Sequence, residues 1–182
     1  MLKNSEYIEK KVIIEDKVNT KNLGKKAQIG FDLTVKNIYE IQDFGFVSRN
    51  KTYVPNYQKI FPKKLKYKDI EFEGWFLPKG NYILETNEGC EINKNNAGYI
   101  LQRSSLNRCG VQIISSLWDP GFTSRNDQKV NSMQVRLIVS NEKGFYLEKN
   151  SRVCQMIICE CEDSEMYDGQ FQHGIEKSKL VK

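Results

Sequence analysis

Two stretches of this chain place groups that handle charge at close spacing. The first is Arg103-Ser104-Ser105-Leu106-Asn107-Arg108. An arginine binds phosphate oxygens in a bidentate fork, two hydroxyls donate hydrogen bonds, and the start of a helix adds unpaired N–H groups. The same spelling also suits a plain helix start with Ser104 as its cap and two solvated arginines. The second stretch is Trp118-Asp119-Pro120-Gly121-Phe122. A carboxylate beside aromatic rings can orient and deprotonate a water, whereas Asp-Pro-Gly also spells a simple turn.

Two further segments could complete such a site. In Ile29-Gly30-Phe31-Asp32-Leu33 a single Asp interrupts an apolar strand. Burying it is unfavourable unless it is paired, so Asp32 either faces solvent or supports the site through an arginine or a backbone turn. Near the C-terminus, Tyr167-Asp168-Gly169-Gln170-Phe171-Gln172-His173-Gly174 reads as a frayed tail or as a lid. As a lid, Phe171 would stack on a flat ring and Gln172 would hydrogen-bond to the ligand. His173, the one histidine, has no neighbour to make it a base and is expected at the surface.

These segments sit among short β-prone runs: 12–14, 29–35, 81–85, 98–102, 111–115, 133–139, 144–147 and 153–161, bounded by Gly, Pro, Asn or charged turn residues. Asn141-Glu142-Lys143-Gly144 and Pro78-Lys79-Gly80 are turn signals. One short helix is expected from Ser104 to Cys109, closed by Gly110, and a second brief one at Glu6 to Lys11. The pattern predicts an all-β fold, a β-sandwich, jelly roll or barrel, with a short helix at Ser104. Residues 1–26 read as an N-terminal extension, 27–165 as the β domain and 166–182 as a tail or lid. Residues 43–70 have no clear period and read as an excursion on the β core that carries oligomer contacts.

Composition narrows the functional classes. With 182 residues, 39% hydrophobic and 28% charged, the chain is long enough for one self-sufficient core. No apolar run approaches membrane-spanning length and the first residues lack a signal-peptide core, so a cytoplasmic protein without membrane contact is expected. Lysines cluster at 10–26 and 59–68, but acidic residues interleave and the net charge is only +5. That favours a small polyanionic ligand over a polynucleotide. The five cysteines include no Cys-x-x-Cys pair, which argues against a structural zinc site. Cys159 and Cys161 are expected to share one strand face as small apolar residues.

Taken in order, the polar segments resemble the superfamily of trimeric dUTP diphosphatases and dCTP deaminases. Ile29-Gly30-Phe31-Asp32-Leu33 is similar to its first motif, Ala-Gly-(Tyr/Phe)-Asp-Leu. Gln102 to Gly110 resembles the deaminase Gly-Arg-Ser-Ser-Leu-Ala-Arg-Leu-Gly, and Trp118 to Phe122 its Ile-Asp-Pro-Gly-(Phe/Trp). Arg152-Val153-Cys154-Gln155-Met156-Ile157 resembles the diphosphatase Arg-Ile-Ala-Gln-Leu-Ile, and Gly169-Gln170-Phe171-Gln172 the deaminase Gly-Lys-Tyr-Gln. Phe76 to Leu84, leading into Gly98-Tyr99-Ile100, matches the family's approach to its second motif, so the likeness covers roughly residues 27 to 174.

The resemblance implies a distorted jelly roll and a homotrimer with sites shared between subunits. It also implies Mg2+ held through the triphosphate of a pyrimidine deoxynucleotide. By position Arg103, Ser104 and Gln155 would hold phosphates, with Ser105 and Arg108 beside them. Asp119 would activate water, and Phe122 and Phe171, with Gln172, would enclose the nucleotide.

Departures from the family pattern separate its two reactions. Deaminases carry a proton-shuttling glutamate in the strand after Asp-Pro-Gly; here Met133-Gln134-Val135-Arg136-Leu137-Ile138-Val139 has no carboxylate. Neither a cation nor an aliphatic side chain can make that transfer. The expected activity is therefore hydrolysis of dUTP to dUMP and pyrophosphate, with dCTP deamination or a catalytically silent nucleotide-binding homologue as alternatives. Gln102 replaces a glycine, and Thr123 to Lys129 is an apparent insertion beside the site.

Overall fold

Alternation of inward and outward side chains builds two neighbouring strands of the main sheet. In Gly80–Glu91 the inward positions Tyr82, Leu84, Thr86, Glu88 and Cys90 are buried. In Ser132–Val139 the inward positions are Met133, Val135, Leu137 and Val139. The computed structural model describes residues 1–2, 13–15, 29–122, 132–162, 165–168 and 180–181, with backbone alone for 13–15 and 180–181. The expected helix at Glu6 to Lys11, the insertion 123–129 and the tail residues Phe171, Gln172 and His173 lie outside the described residues.

In chain order the strands are β1 (Ile13–Glu15), β2 (Phe31–Ile41), β3 (Phe46–Val47), β4 (Thr52–Tyr53), β5 (Tyr57–Ile60), β6 (Lys63–Tyr67) and β7 (Ile70–Leu77). They continue as β8 (Gly80–Glu91), β9 (Asn96–Gln102), β10 (Val111–Ile114), β11 (Ser132–Val139), β12 (Phe145–Glu148), β13 (Arg152–Glu160) and β14 (Leu180–Val181). The helix α1 (Ser104–Arg108) links β9 to β10. The main sheet runs β10-β11-β8-β2-β13-β9, with β1 added to β8, β5 to β2 and β14 to β5. Its two outer strands, β9 and β10, are joined by α1, and the sheet curls into a nearly closed barrel.

Strand β2 holds this barrel together by changing neighbours. Its first part pairs with β13, and past a bulge at Val35–Asn37 it pairs with β8 and β5. Inside lie Phe31, Leu33, Ile38, Leu84, Leu137, Met156 and Ile158, all fully buried. A three-stranded sheet, β12-β7-β6, packs on the barrel through Trp75, whose indole N–H donates to the Ile60 carbonyl at 2.7 Å.

The all-β fold with one short helix agrees with the expectation, while several strands are longer or newly formed. Strand β8 continues to Glu91 through Thr86 and Glu88, which polarity alone marks as turn residues. Glu88 is fully buried because its carboxylate accepts hydrogen bonds from the Thr34 N–H and hydroxyl, both at 2.7 Å. The excursion 43–70 contains β3 to β6, strands too short to show a period. Strand β13 ends at Glu160, so Cys161 is exposed and does not share a strand face with Cys159.

Leu137 is fully buried between Tyr82 and Ile113 in the β8-β11-β10 ladder. Leu137→Ala should lower stability by about 2–5 kcal/mol through lost contacts and a residual cavity. Equilibrium urea denaturation should show a lower midpoint with little change in slope.

Candidate functional site

The centre of the candidate site is a buried charge. Asp32 lies on β2, opposite Gln155 of β13, and is only 3% exposed. Its Oδ2 accepts from Arg103 Nη1 at 2.7 Å and from Arg152 Nη1 at 3.0 Å. Both arginines are partly exposed, so their guanidinium groups meet the carboxylate at the barrel rim. Its second oxygen, Oδ1, is buried and accepts no hydrogen bond among the described residues. Two guanidiniums converge on one carboxylate, which places cationic groups suited to an anion at this rim.

Arg103 reaches this point because of how β9 ends. Its backbone is extended, its N–H donates to the Val153 carbonyl at 3.2 Å, and its carbonyl accepts the Leu106 N–H at 3.0 Å. Arg103 therefore occupies the helix cap position, not Ser104, and no side chain caps the helix. Leu106 is buried and anchors α1 to the core, which leaves Ser104, Ser105 and Arg108 exposed on its other sides. The helix stops at Arg108, one residue short of expectation, with Gly110 at φ +72°. Ser140 N–H bonds to the Gly110 carbonyl at 2.8 Å, tying this turn to the end of β11.

Gln155 sits between Asp32 and Leu101 in the ladders of β13, so all three point to one face. Leu101 and Tyr99 on that face are about half exposed, at 56% and 45%. A strip of apolar surface thus runs beside the charged cluster.

Asp119 stands elsewhere. Trp118 and Gly98 exchange two backbone hydrogen bonds, both 2.9 Å, at the beginning of β9. Arg103 follows the far end of that strand, roughly 16 Å away at the rise of an extended chain. Glycine at 98 allows this close approach, because a Cβ there would lie 2.5 Å from Ile92 Cδ1 and 3.3 Å from Trp118 Cβ, so that the Ile92 side chain would have to shift. The turn after Trp118 is held by Gly121 N–H to the Ile92 carbonyl at 3.0 Å and by Tyr167 N–H to the Pro120 carbonyl at 2.7 Å. Phe122 meets Trp118 and Tyr167 edge to face, with centroids 4.8 and 5.1 Å apart.

The chain thus brings Asp32, Arg103, Gln155 and the α1 hydroxyls to one region, and Asp119 with Phe122 to another. Arg152 and the Thr34–Glu88 pair were missing from the residues singled out by sequence. Arg152 opens the segment that contains Gln155, so its position was a readable signal; nothing local marks Glu88 as buried.

Burial pushes the Cys90 and Cys154 thiols well above their ordinary range, with nearby carboxylates adding to the effect. Such thiols are neither nucleophiles nor metal ligands. Among the described residues no three His, Cys, Asp or Glu side chains gather as a metal site. No helix among them is long and apolar enough to cross a membrane.

The fold and the site define an all-β barrel whose rim carries arginines, hydroxyls and one buried carboxylate. A family model described as dCTP deaminase-like matches residues 3–161. The chain is 34% identical over 149 residues to a probable deoxyuridine 5'-triphosphate nucleotidohydrolase of Methanosarcina acetivorans, covering 79% of this chain and 78% of that protein. It is 32% identical over 148 residues to the deoxyuridine 5'-triphosphate nucleotidohydrolase of Methanocaldococcus jannaschii, covering 80% and 85%. The fold also resembles the crystal structure of a 2'-deoxycytidine 5'-triphosphate deaminase from Agrobacterium tumefaciens. The TM-score is 0.53 at 11% identity, over 86% of this chain but only 48% of that one, so this chain spans about half its length. This chain belongs to the dCTP deaminase-like family.

Removing the carboxylate from the rim should be felt locally and globally. Asp32→Ala removes the carboxylate that the Arg103 and Arg152 guanidiniums share. A fully buried pair broken in this way loses about 3–5 kcal/mol; with both arginines partly solvated, about 2 kcal/mol is expected. Thermal unfolding of the variant in low and high salt measures it, with the loss smaller when salt screens the ion pairs.

Proposed function

We propose that the chain hydrolyses dUTP to dUMP and pyrophosphate. The observation that carries this over deamination is β11. Arg136, Leu137 and Ile138 occupy the positions where a deaminase glutamate would stand. Arg136 is engaged by Asn81 at 2.8 Å and Leu137 is fully buried. Glu85, opposite Gln134 in the ladder, is committed to Asn37 Nδ2 and Tyr39 Oη at 2.7 Å each and to Lys36 at 3.5 Å. It is therefore a poor substitute for the missing acid–base group. The archaeal relatives named as dUTP nucleotidohydrolases support the same reading.

In this mechanism Arg103, Arg108, Ser104, Ser105 and Gln155 bind the triphosphate and neutralise the charge that builds up during displacement. Asp119 accepts a proton from water, which attacks the α-phosphorus as the bond to the bridging oxygen of pyrophosphate breaks. Phe122, Phe171 and Gln172 close around the nucleotide. Asp32 holds Arg103 in place.

The donor set fits Mg2+ carried on the triphosphate. Asp32 Oδ1 is a buried carboxylate oxygen, unsatisfied among the described residues, on the face that Gln155 shares, suited to the water ligands that this ion retains. When bound, the ion would supply further neutralisation of phosphate charge.

Asp119 and the Arg103 cluster stand at opposite ends of β9, which supports a site completed between copies of the chain, in a homotrimer. The exposed strip of Tyr99 and Leu101 beside Gln155 is a surface suited to that contact.

A panel of deoxynucleoside triphosphates, with pyrophosphate and ammonia both followed, tests the reaction. Pyrophosphate from dUTP supports hydrolysis; ammonia from dCTP would replace it with deamination. Binding without either product would make the chain a silent homologue. Asp119→Asn should retain dUTP binding while kcat falls by about 10²–10⁴-fold, the usual contribution of a positioned base. Retained turnover would remove Asp119 from this role.

A further inference from the structure

Gln102 ends β9, immediately before Arg103. It pairs with Cys154 in the ladder, so its side chain leaves the opposite face of the strand from Leu101 and Gln155. Its Oε1 accepts the Ile113 N–H at 3.0 Å, a side-chain contact that joins β9 to β10 across the mouth of the barrel. That bond also fixes the sense of the amide. With the oxygen committed to Ile113, the amine Nε2 is the remaining end, and it has no hydrogen-bond partner among the described residues. Gln102 is half-buried, so this oriented donor remains accessible.

A neutral amide adds nothing to the balance of charge around a triphosphate. Arg103, by contrast, turns to Asp32 on the other face. Nε2 suits an uncharged acceptor, and an uncharged part of the same ligand lying between β9 and β10 would supply one. The edge of a pyrimidine ring offers such a group. A carbonyl at C4 accepts from an N–H, and an amino group at C4 does not.

We propose that Gln102 is a specificity-determining residue, its Nε2 donating to the C4 carbonyl of a uracil ring and disfavouring the amino group of cytosine. This rests on the nucleotide reading above and extends it to the choice of base. A donor held by the protein gives discrimination because the wrong ring leaves a polar group unpaired.

The test is Gln102→Glu, which keeps an oxygen for the Ile113 N–H but replaces the amine with an acceptor. Calorimetric titration of the full chain with Mg2+ and the α,β-imido analogues of dUTP and dCTP gives the ratio of the two affinities. Repulsion between the new charge and the triphosphate is common to both analogues and cancels in that ratio. The preference for the dUTP analogue should fall by about tenfold or more, with the melting temperature unchanged. An unchanged ratio, including equal weakening of both analogues, would show that Gln102 acts only as a joint between strands and would overturn the proposal. Should the glutamate variant not fold, Gln102→Met removes the donor without adding charge and should bring the ratio towards parity; an unchanged ratio there also overturns it. Wild-type protein that prefers the dCTP analogue would sink the proposal and count against dUTP as the substrate, while leaving nucleotide binding in place. Wild-type protein that binds neither would sink the nucleotide reading and the proposal with it.

Discussion

The carboxylate of Asp32 draws three separate pieces of chain to one point: β2, which bears it; the exit of β9, through Arg103; and the start of β13, through Arg152. A buried ion is tolerated only when its partners compensate for lost hydration, so the geometry of all three strands is coupled at this residue. The position of α1 follows, because the helix begins at the residue after Arg103. The apolar part of the core beneath would accept many substitutions of similar volume. The rim would not, since moving any of the three strands separates unlike charges in a poorly solvated place.

The same arrangement explains why the polar residues fall into two groups. The residues on the β2-β9-β13 side are set by a sheet ladder and an ion pair, both rigid. Asp119 belongs to a turn held by single backbone bonds and by the Trp118–Phe122–Tyr167 ring contacts. In the proposed reaction, a carboxylate presented on a turn would adjust to the position of an incoming water, whereas groups that hold a polyanion would gain from being fixed beforehand.

Much of this was legible in the sequence, and the unread part has physical causes. Alternation and turn residues revealed the β framework, and Gly110 marked the end of α1 within a residue. That Asp32 would be unfavourable to bury alone was also readable, because an acid in an apolar strand requires a partner. The pairing of Arg152 with Asp32 and of Glu88 with Thr34 was not, since those partners come from strands 120 and 54 residues away in sequence. Local pattern carries no record of such long-range pairing. The lengths of β2 and β8 were underestimated for the same reason: polar residues satisfied across the barrel look like turn residues when read along the chain. Gln102 was visible as a departure from glycine, but its bond to Ile113 required the curl of the sheet.

Strand β9 separates the two polar groups, and this gives the molecule a built-in ruler. Each residue of an extended strand advances the chain by about 3.3 Å and turns the side chain to the opposite face. Inserting one residue between Gly98 and Gln102 would exchange the inward and outward rows and expel the barrel joint. Inserting two would preserve the facing but lengthen the span by nearly 7 Å. The seven-residue strand Asn96–Gln102 is therefore a part whose length, more than its composition, is expected to resist change during divergence.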